Sequence, residues 1–286
     1  MRILKAWRLA AVAAALTFEA GCALRRAPAP SDAMVVERDV VYVRRGEQAL
    51  TADVYAPAGA GRFPGVLLVH GGSWQRGDKG RMARIGERLA GRGYVGVSIN
   101  YRHAPDHVFP AQLYDCQAAV RWMRANAARL RIDPARIGGF GYSAGAHLVA
   151  LLATADDGDG LDEGVGDTPT PRLQAAVLGA APIDLRRFPP NRTITRFLGA
   201  SAAERPDIYA LASPINFVTP DDPPMFLYHG ASDWMVSASQ SRLLIGALRH
   251  ANVPSAYFET SGGHFTTFLF DDQQVSRAID FLDRWL

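Results

Sequence analysis

The chain has 286 residues, of which 48% are hydrophobic and 21% are charged, and its formal net charge is +3. This is the composition of an ordinary globular protein with one large core, which excludes disordered and collagen-like chains. The first 22 residues contribute +2 of that charge and the rest only +1, with no basic stripe interleaved with aromatic residues, which argues against nucleic acid as a partner.

The chain begins with a segment that has the features of an export signal. Three basic residues precede an apolar stretch, Leu9 to Phe18, that is too short to span a bilayer. Ala20-Gly21-Cys22 then resembles a bacterial lipobox, with Glu19 where leucine is usual. We expect a signal peptide of the lipoprotein type over residues 1–22, membrane attachment through lipidated Cys22, and a location in the periplasm or at the outer membrane. Simple signal cleavage with secretion, or a retained anchor, are the alternatives.

A Pro- and Ala-rich stretch follows, which predicts a tether over 23–34 and a folded domain over 35–286. The chain has two cysteines, Cys22 and Cys116. If Cys22 is lipidated, Cys116 has no disulfide partner and no cysteine metal site can form. Cys116 lies in an amphipathic helical pattern, where a small buried side chain is expected.

From residue 35 onward, the pattern alternates strands and helices. Segments 34–44 and 50–55 alternate apolar with polar residues and predict an antiparallel pair, and a last strand is expected near 256–260. Short runs that are apolar on both faces predict buried strands at 65–70, 95–100, 137–142, 175–179 and 225–229. Helical periodicity covers 81–91, 111–131, 144–154, 239–251 and 272–286. This order predicts an α/β fold with a mainly parallel, doubly wound sheet of about eight strands and helices on both faces.

A pattern typical of a nucleophilic serine lies between a predicted strand and a predicted helix. Gly141-Tyr142-Ser143-Ala144-Gly145 matches G-x-S-x-G, in which the serine occupies a strained turn and the glycines avoid collisions with neighbouring backbone. The start of the following helix offers N–H groups and positive potential to an oxyanion. Ser143 is therefore predicted to be a nucleophile.

A glycine-containing loop, His70-Gly71-Gly72-Ser73-Trp74, follows another predicted strand, where backbone N–H groups can approach a tetrahedral intermediate. With this loop and the serine turn, the sequence resembles bacterial α/β-hydrolase carboxylesterases that carry an H-G-G-x-W loop, in the branch related to hormone-sensitive lipase and to carbohydrate esterases. Further matching segments are Asn100-Tyr101-Arg102, Ala104-Pro105, Phe109-Pro110-Ala111, residues 133–137 and Ala212-Ser213-Pro214. The resemblance spans residues 35–286 and implies the α/β-hydrolase fold with a small cap.

The resemblance also implies an oxyanion hole formed by the backbone N–H groups of Gly72, Ser73 and Ala144. Many relatives have glycine where this chain has Ser73, but a serine N–H donates equally well. By the same resemblance, His70 has a structural role in holding the loop.

The base must follow the serine in chain order, and four histidines do so. We expect His147 to pack beside the sheet, His229 to need a core or loop partner, and His250 to be a favourable cation at a helix end. His264 instead follows two glycines after the last predicted strand, on a loop from which an imidazole can reach the serine hydroxyl. His264 is therefore the predicted base.

Asp233 is the predicted acid of the triad. It follows the strand predicted at 225–229 and resembles the family's D-x-x-V position, and it precedes His264 by one helix and one strand, so both loops are expected at the same edge of the sheet. It would fix the imidazole tautomer and stabilise the imidazolium. A helix N-cap is the alternative role. Other nearby aspartates lie at the wrong strand end or at a later helix start: Asp221, Asp222, Asp271 and Asp272.

An acidic stretch over residues 156–163 lacks the ligand spacing of an EF-hand, which favours a solvated surface loop over a calcium site. The chemistry of a Ser-His-Asp triad requires no cofactor and no metal.

About 45 residues separate the strands near 177 and 226, enough for a modest cap with one or two helices but few for a full lipase lid. Short-acyl or aryl esters are therefore expected rather than emulsified fats. Trp74, Tyr142 and Trp234 flank the predicted catalytic loops and are candidates to line the substrate pocket, with packing as the alternative role.

The resemblance thus implies a serine carboxylesterase for a small-molecule or oligosaccharide ester, such as an acetyl or feruloyl ester of plant polysaccharide. An amide-cleaving hydrolase, such as an arylformamidase or a small peptidase, would use the same triad. The third alternative is a non-catalytic binding module on the same scaffold.

Overall fold

A single mixed sheet forms the centre of the structure, a computed structural model that describes residues 34–164, 168–270 and 272–286. The expected signal peptide over 1–22, with Cys22, and all but the last residue of the expected tether lie outside the described residues and stay predictions. In the part of the chain that is described, no helix combines the length and the apolar composition needed to cross a membrane.

The sheet has eight strands within the described residues. They are β1 (Met34–Arg45), β2 (Gln48–Pro57), β3 (Phe63–Val69), β4 (Val95–Ile99), β5 (Ile132–Tyr142), β6 (Ala176–Gly179), β7 (Met225–Gly230) and β8 (Ser255–Thr260). Their order is β1-β2-β4-β3-β5-β6-β7-β8. β2 pairs antiparallel with β1 and β4, and every other pair is parallel. The predicted fold class is confirmed, and the carboxyl ends of β3 and β5 to β8 meet at one edge.

Helices cover both faces of this sheet. They are α1 (Ala83–Gly91), α2 (Ala111–Ala125), α3 (Ala127–Leu130), α4 (Ala144–Thr154), α5 (Arg192–Leu198), α6 (Pro206–Leu211), α7 (Ser239–His250), α8 (His264–Phe270) and α9 (Asp272–Trp285). The single helix predicted over 111–131 is two helices that break at Asn126, whose side chain donates to the Trp122 carbonyl at 2.9 Å. Arg131 then adopts a left-handed conformation with φ 57°. The chain therefore turns directly into β5, which begins five residues earlier than predicted.

The core consists of two hydrophobic layers, one on each face of the sheet. Leu67 and Val69 pack in the layer that contains α2, α4 and α7, whereas Val66 and Leu68 pack in the layer that contains α1 and α9. Successive residues of a strand point to opposite faces, so β3 contributes to both layers. Burial of each such side chain contributes roughly 1.5–3 kcal/mol, which makes the sheet a rigid support for loops at its edge. Cys116 is buried in the first of these layers.

The segment between β6 and β7 forms a small cap over the carboxyl edge and contains the short helices α5 and α6. The side chain of Asn191 accepts hydrogen bonds from the N–H groups of Thr193 and Ile194, and so caps the start of α5. Gln240 of α7 anchors the cap, because its Oε1 accepts from the N–H groups of Ile183 and Asp184, both at 2.8 Å. The cap therefore sits in a fixed position over the strand ends.

Three carboxylates of the acidic stretch over residues 156–163 pair with arginines. Arg121 binds Asp162 at 2.5 Å and Arg45 binds Glu163 at 2.6 Å, while Arg172 pairs with Asp156. These carboxylates tie the loop to the body of the domain.

Candidate active site

Ser143 lies on the tight turn between β5 and α4. Its φ of 55° and ψ of −123° are unfavourable for a residue with a Cβ, and strain of this kind is concentrated at functional sites. The Ser143 N–H donates to the Gly179 carbonyl at 2.8 Å, which fixes the turn against β6. A Cβ on Gly145 would collide with the carbonyl oxygen of Val69, so glycine is required where α4 passes the end of β3. The local sequence thus exposes the Ser143 hydroxyl at the carboxyl edge.

The structure brings Ser143, His264 and Asp233 together in one line. His264 Nε2 lies 2.8 Å from Ser143 Oγ, and His264 Nδ1 lies 2.6 Å from Asp233 Oδ2. Because Asp233 accepts from Nδ1–H, the neutral imidazole has Nε2 free to accept the proton of the serine hydroxyl. Three segments that are distant in the chain therefore form one path for a proton.

Asp233 uses its two carboxylate oxygens for different contacts, and neither caps a helix, because α7 begins at Ser239 with Ala238 as its N-cap. Oδ1 accepts from the N–H groups of Met235 and Val236, both at 2.9 Å, and so closes the turn after β7. Oδ2 faces His264. Burial alone would raise the pKa of Asp233, but hydrogen bonds from His229 and His264 outweigh this effect and hold the pKa well below its usual range. The carboxylate thus stays ionised beneath the imidazole.

His229 is a contributor that the sequence analysis missed. It is fully buried, and its Nε2 lies 2.8 Å from the Val236 carbonyl and 3.3 Å from Asp233 Oδ2. Its Nδ1 accepts from the Ser241 hydroxyl at 2.7 Å. His229 therefore holds the same carboxylate oxygen that faces His264. The spacing of four residues between His229 and Asp233 at the end of a strand was the only signal in the sequence.

His264 is the first residue of α8 and not a loop residue as predicted. Tyr142 beneath it does not line the pocket, and this corrects the expectation from sequence. The Tyr142 hydroxyl donates to the His264 carbonyl, and its ring lies 4.5 Å from that of Phe268 in α8. Tyr142 is the last residue of β5, directly before Ser143. Its side chain points into the hydrophobic layer that contains α1 and α9. Tyr142 thus supports the base from below.

The loop that is predicted to form the oxyanion hole, residues 70–74, is called the oxyanion loop below. It follows β3 and lies directly beside Ser143. Gly72 has φ 135°, and a Cβ there would collide with the Arg76 carbonyl oxygen. Ser73 and Ala144 line the same pocket as Ser143. Ala144 is the first residue of α4, so its N–H has no partner within the helix. Gly72 shapes the turn in which its carbonyl accepts from Gln75 at 3.1 Å and from Arg76 at 3.2 Å.

His70 stabilises this loop. Its Nδ1–H donates to the Gly71 carbonyl at 2.8 Å, and its ring stacks on Tyr101 with the centroids 4.4 Å apart. Burial lowers the pKa of His70 to about 4, so the ring is neutral near pH 7. Arg102 next to Tyr101 pairs with buried Asp115 at 2.8 Å. The Asn100-Tyr101-Arg102 segment is therefore structural support for the loop.

A pocket of about 290 Å³ opens above Ser143. One wall is apolar and comes from the cap and from the turn after Asp233: Pro182, Phe188, Ile194, Met235 and Val236. Polar side chains of Ser73, Asn191 and Thr193 complete it. Trp74 lines the pocket but is buried, whereas Trp234 is 82% exposed at the mouth.

Asp222 lies at the amino end of β7, remote from the triad, and it offers a test of stability against pH. It is buried, Oδ2 has no hydrogen-bond partner among the described residues, and burial raises its pKa from 3.8 to about 7. The folded state thus holds this proton more tightly than the unfolded chain. The resulting stabilisation is complete below pH 4 and is lost as the pH rises towards 7.

Asp222→Asn, which resembles the protonated acid, is therefore expected to raise the free energy of unfolding at pH 8 by about 2–4 kcal/mol and to change it little at pH 4. Urea denaturation at the two pH values measures this, with exposed Asp221→Asn as the control. An equal gain at both pH values would contradict the assignment.

A serine on a strand-to-helix turn, followed later in the chain by an aspartate and a histidine at the carboxyl edge of a mainly parallel sheet, is the arrangement of α/β-hydrolases. This chain is one of them. The BD-FAE family model matches residues 52–248. The chain therefore belongs to the BD-FAE family.

Relatives of known structure or activity agree with this assignment. Esterase LipQ of Mycobacterium tuberculosis is 33% identical over 211 residues, which are 71% of this chain and 50% of that protein. The chain spans about half the length of the curated relatives it matches. A structure described as a truncated carbohydrate esterase from gut microbiota has a TM-score of 0.81 and 27% identity, covering 90% of this chain and 97% of that one. Thermogutta terrifontis esterase 2 phosphorylated by paraoxon has a TM-score of 0.75 and 26% identity, covering 87% and 94%.

Proposed function

We propose that this protein is a serine carboxylesterase that hydrolyses short-acyl or aryl carboxylic esters through an acyl-enzyme. The observation that carries the proposal is the continuous line from Ser143 Oγ through His264 to Asp233, with contacts of 2.8 Å and 2.6 Å. The similarity to LipQ and to the carbohydrate esterase supports the same chemistry.

The reaction follows from the geometry of these groups. Ser143 Oγ attacks the acyl carbon while His264 Nε2 takes the hydroxyl proton, and Asp233 stabilises the imidazolium. The tetrahedral oxyanion is held by backbone N–H groups of Ala144 and of the loop at Gly72 and Ser73. Loss of one such donor typically costs about 3–4 kcal/mol. His264 then gives the proton to the leaving alcohol, and water repeats the two steps on the acyl-enzyme.

The shape of the pocket supports a small acyl group. Its volume of about 290 Å³ and its apolar wall fit a short acyl chain or one aromatic ring. Trp234 offers an exposed, flat ring at the mouth, next to Asp233, on which an aryl or sugar ring can stack. An ester on an oligosaccharide is therefore the natural substrate class that we propose, with small-molecule esters as its model compounds.

A fluorophosphonate probe tests the nucleophile and a substrate panel tests the reaction class. The probe is expected to label Ser143, as mapped by mass spectrometry of the modified peptide, and labelling should persist in Ser232→Ala, which removes an exposed serine beside the triad. In the panel, p-nitrophenyl acetate should be turned over faster than formyl-arylamides and peptide anilides. Labelling at another residue would refute the nucleophile, and faster amide cleavage would make the protein an amidase.

A further inference from the structure

The oxyanion loop contains two consecutive strained residues. Ser73 and Trp74 both have φ 58°, in the left-handed region that residues with a Cβ rarely adopt. Such a conformation persists only where surrounding contacts enforce it. Because Ser73 lines the pocket together with Ser143, those contacts determine where the backbone of the loop lies relative to Ser143.

Trp74 makes contacts with three different parts of the domain. Its Nε1–H donates to His147 Nδ1 at 3.1 Å, and its ring stacks on Phe197 of the cap helix α5 with centroids 4.3 Å apart and an interplanar angle of 11°. Its carbonyl accepts from the Ala104 N–H at 2.9 Å. Trp74 is only 4% exposed, so its ring is held firmly although one part of it reaches the pocket.

His147 joins the loop to the nucleophile helix and to the cap. It lies one turn after Ser143 in α4, and its N–H donates to the Ser143 carbonyl at 3.0 Å. Its Nε2 lies 2.7 Å from the Ala212 carbonyl at the end of α6. Since Nε2–H must donate to that carbonyl, Nδ1 is left as the acceptor for the indole of Trp74. The ring is fully buried and neutral, because burial lowers the pKa of His147 to about 4.

A second polar link connects the loop to the cap. Gln75 Nε2 donates to the Ser73 carbonyl at 3.2 Å and to the Thr193 carbonyl at the start of α5 at 3.1 Å. Both strained residues are therefore attached to the cap: Ser73 through the side chain of Gln75, and Trp74 through its own ring.

We infer that His147 and Trp74 are positioning residues for the oxyanion hole, which hold the Ser73 N–H beside Ser143 and couple it to the seating of the cap. The inference rests on the proposed esterase function. It predicts that the pair acts on the transition state rather than on substrate binding, because the oxyanion forms only during the reaction.

Four variants test the pair. Trp74→Phe keeps a ring to stack on Phe197 but loses the indole donor, and His147→Leu removes the acceptor. His147→Gln retains one acceptor and one donor, so it serves as the conservative rescue. The double variant Trp74→Phe/His147→Leu removes both partners together and leaves no unpaired indole donor, but like His147→Leu it leaves the Ala212 carbonyl without its donor, so its stability is compared with that of His147→Leu. Trp122→Phe and His250→Gln, remote from the loop, are the matched controls.

Three measurements are made on each variant: kcat and KM for p-nitrophenyl acetate, Ki for a trifluoromethyl ketone that forms a tetrahedral adduct, and unfolding in urea. Trp74→Phe and His147→Leu are expected to lower kcat by about 10- to 100-fold and to raise Ki by a similar factor, while KM changes by less than about threefold. The double variant is expected to lose about as much activity as either single variant, because the two changes remove one shared interaction. His147→Gln should keep most of the activity.

Unchanged kcat and Ki in folded Trp74→Phe and His147→Leu would overturn the inference. So would single-variant losses that multiply in the double variant, which would indicate independent effects, or a double variant with full activity, which would indicate that the hydrogen bond between Trp74 and His147 is not needed for catalysis. Failure of the wild-type protein to hydrolyse any ester would instead refute the esterase proposal, so the two failures are distinguishable.

Discussion

Replacing Ser143 by alanine is expected to lower kcat for p-nitrophenyl acetate by about 10⁵- to 10⁶-fold while the protein remains folded. The substitution removes the attacking oxygen but leaves the N–H that donates to the Gly179 carbonyl, so the turn has no reason to change. Residual turnover above the rate in water should come from the oxyanion donors and the pocket. Steady-state kinetics and circular dichroism of the purified variant measure the two halves of this prediction.

Ser237→Ala, at an exposed serine of the same loop region as Asp233, is the control for this loss and should retain wild-type kinetics. Substantial ester hydrolysis by Ser143→Ala would mean that another group attacks the substrate, and the proposed acyl-enzyme would have to be abandoned.

Replacing Asp233 by asparagine should have the second largest effect, a fall in kcat of about 10⁴-fold. The asparagine Oδ1 can still accept from the N–H groups of Met235 and Val236, so the turn after β7 is preserved. The amide N–H, however, faces His264 Nδ1 and favours the tautomer that carries its proton on Nε2. In that tautomer, Nε2 cannot accept the proton of Ser143.

Asp221→Asn changes an exposed carboxylate at the other end of β7 and is expected to leave kcat unchanged. A drop of less than about tenfold in Asp233→Asn, measured on folded protein, would show that the carboxylate does not control the tautomer of His264.

The residues that form the line from Ser143 to Asp233 could be predicted because their signals are local. Ser143 lies in a pattern that only a strand, a tight turn and a helix can accommodate, and Asp233 and His264 follow from their positions after predicted strands. The helix that begins at His264 was not predicted, because two glycines precede it and its first residues are aromatic or β-branched. Packing of Tyr142 against Phe268 favours this helix where intrinsic propensity does not.

The supporting residues could not be predicted, because their roles depend on which atoms lie opposite them in space. Nothing in the sequence indicates that His147 binds Trp74, and the four-residue spacing between His229 and Asp233 is too weak a signal to assign that contact. Tyr142 was assigned to the pocket because it adjoins Ser143. Its side chain points to the opposite face of the sheet, where it supports His264 instead.

The cap is an insertion between β6 and β7. In the chain it follows Ser143 and precedes Asp233 and His264. Exchange of this insert therefore leaves the chain order of Ser143, Asp233 and His264 unchanged. The stacking of Trp74 on Phe197 limits such an exchange, since a transplanted cap must bring a compatible aromatic partner with it. Phe197 of α5 is thus constrained by the oxyanion loop as well as by the packing of the cap.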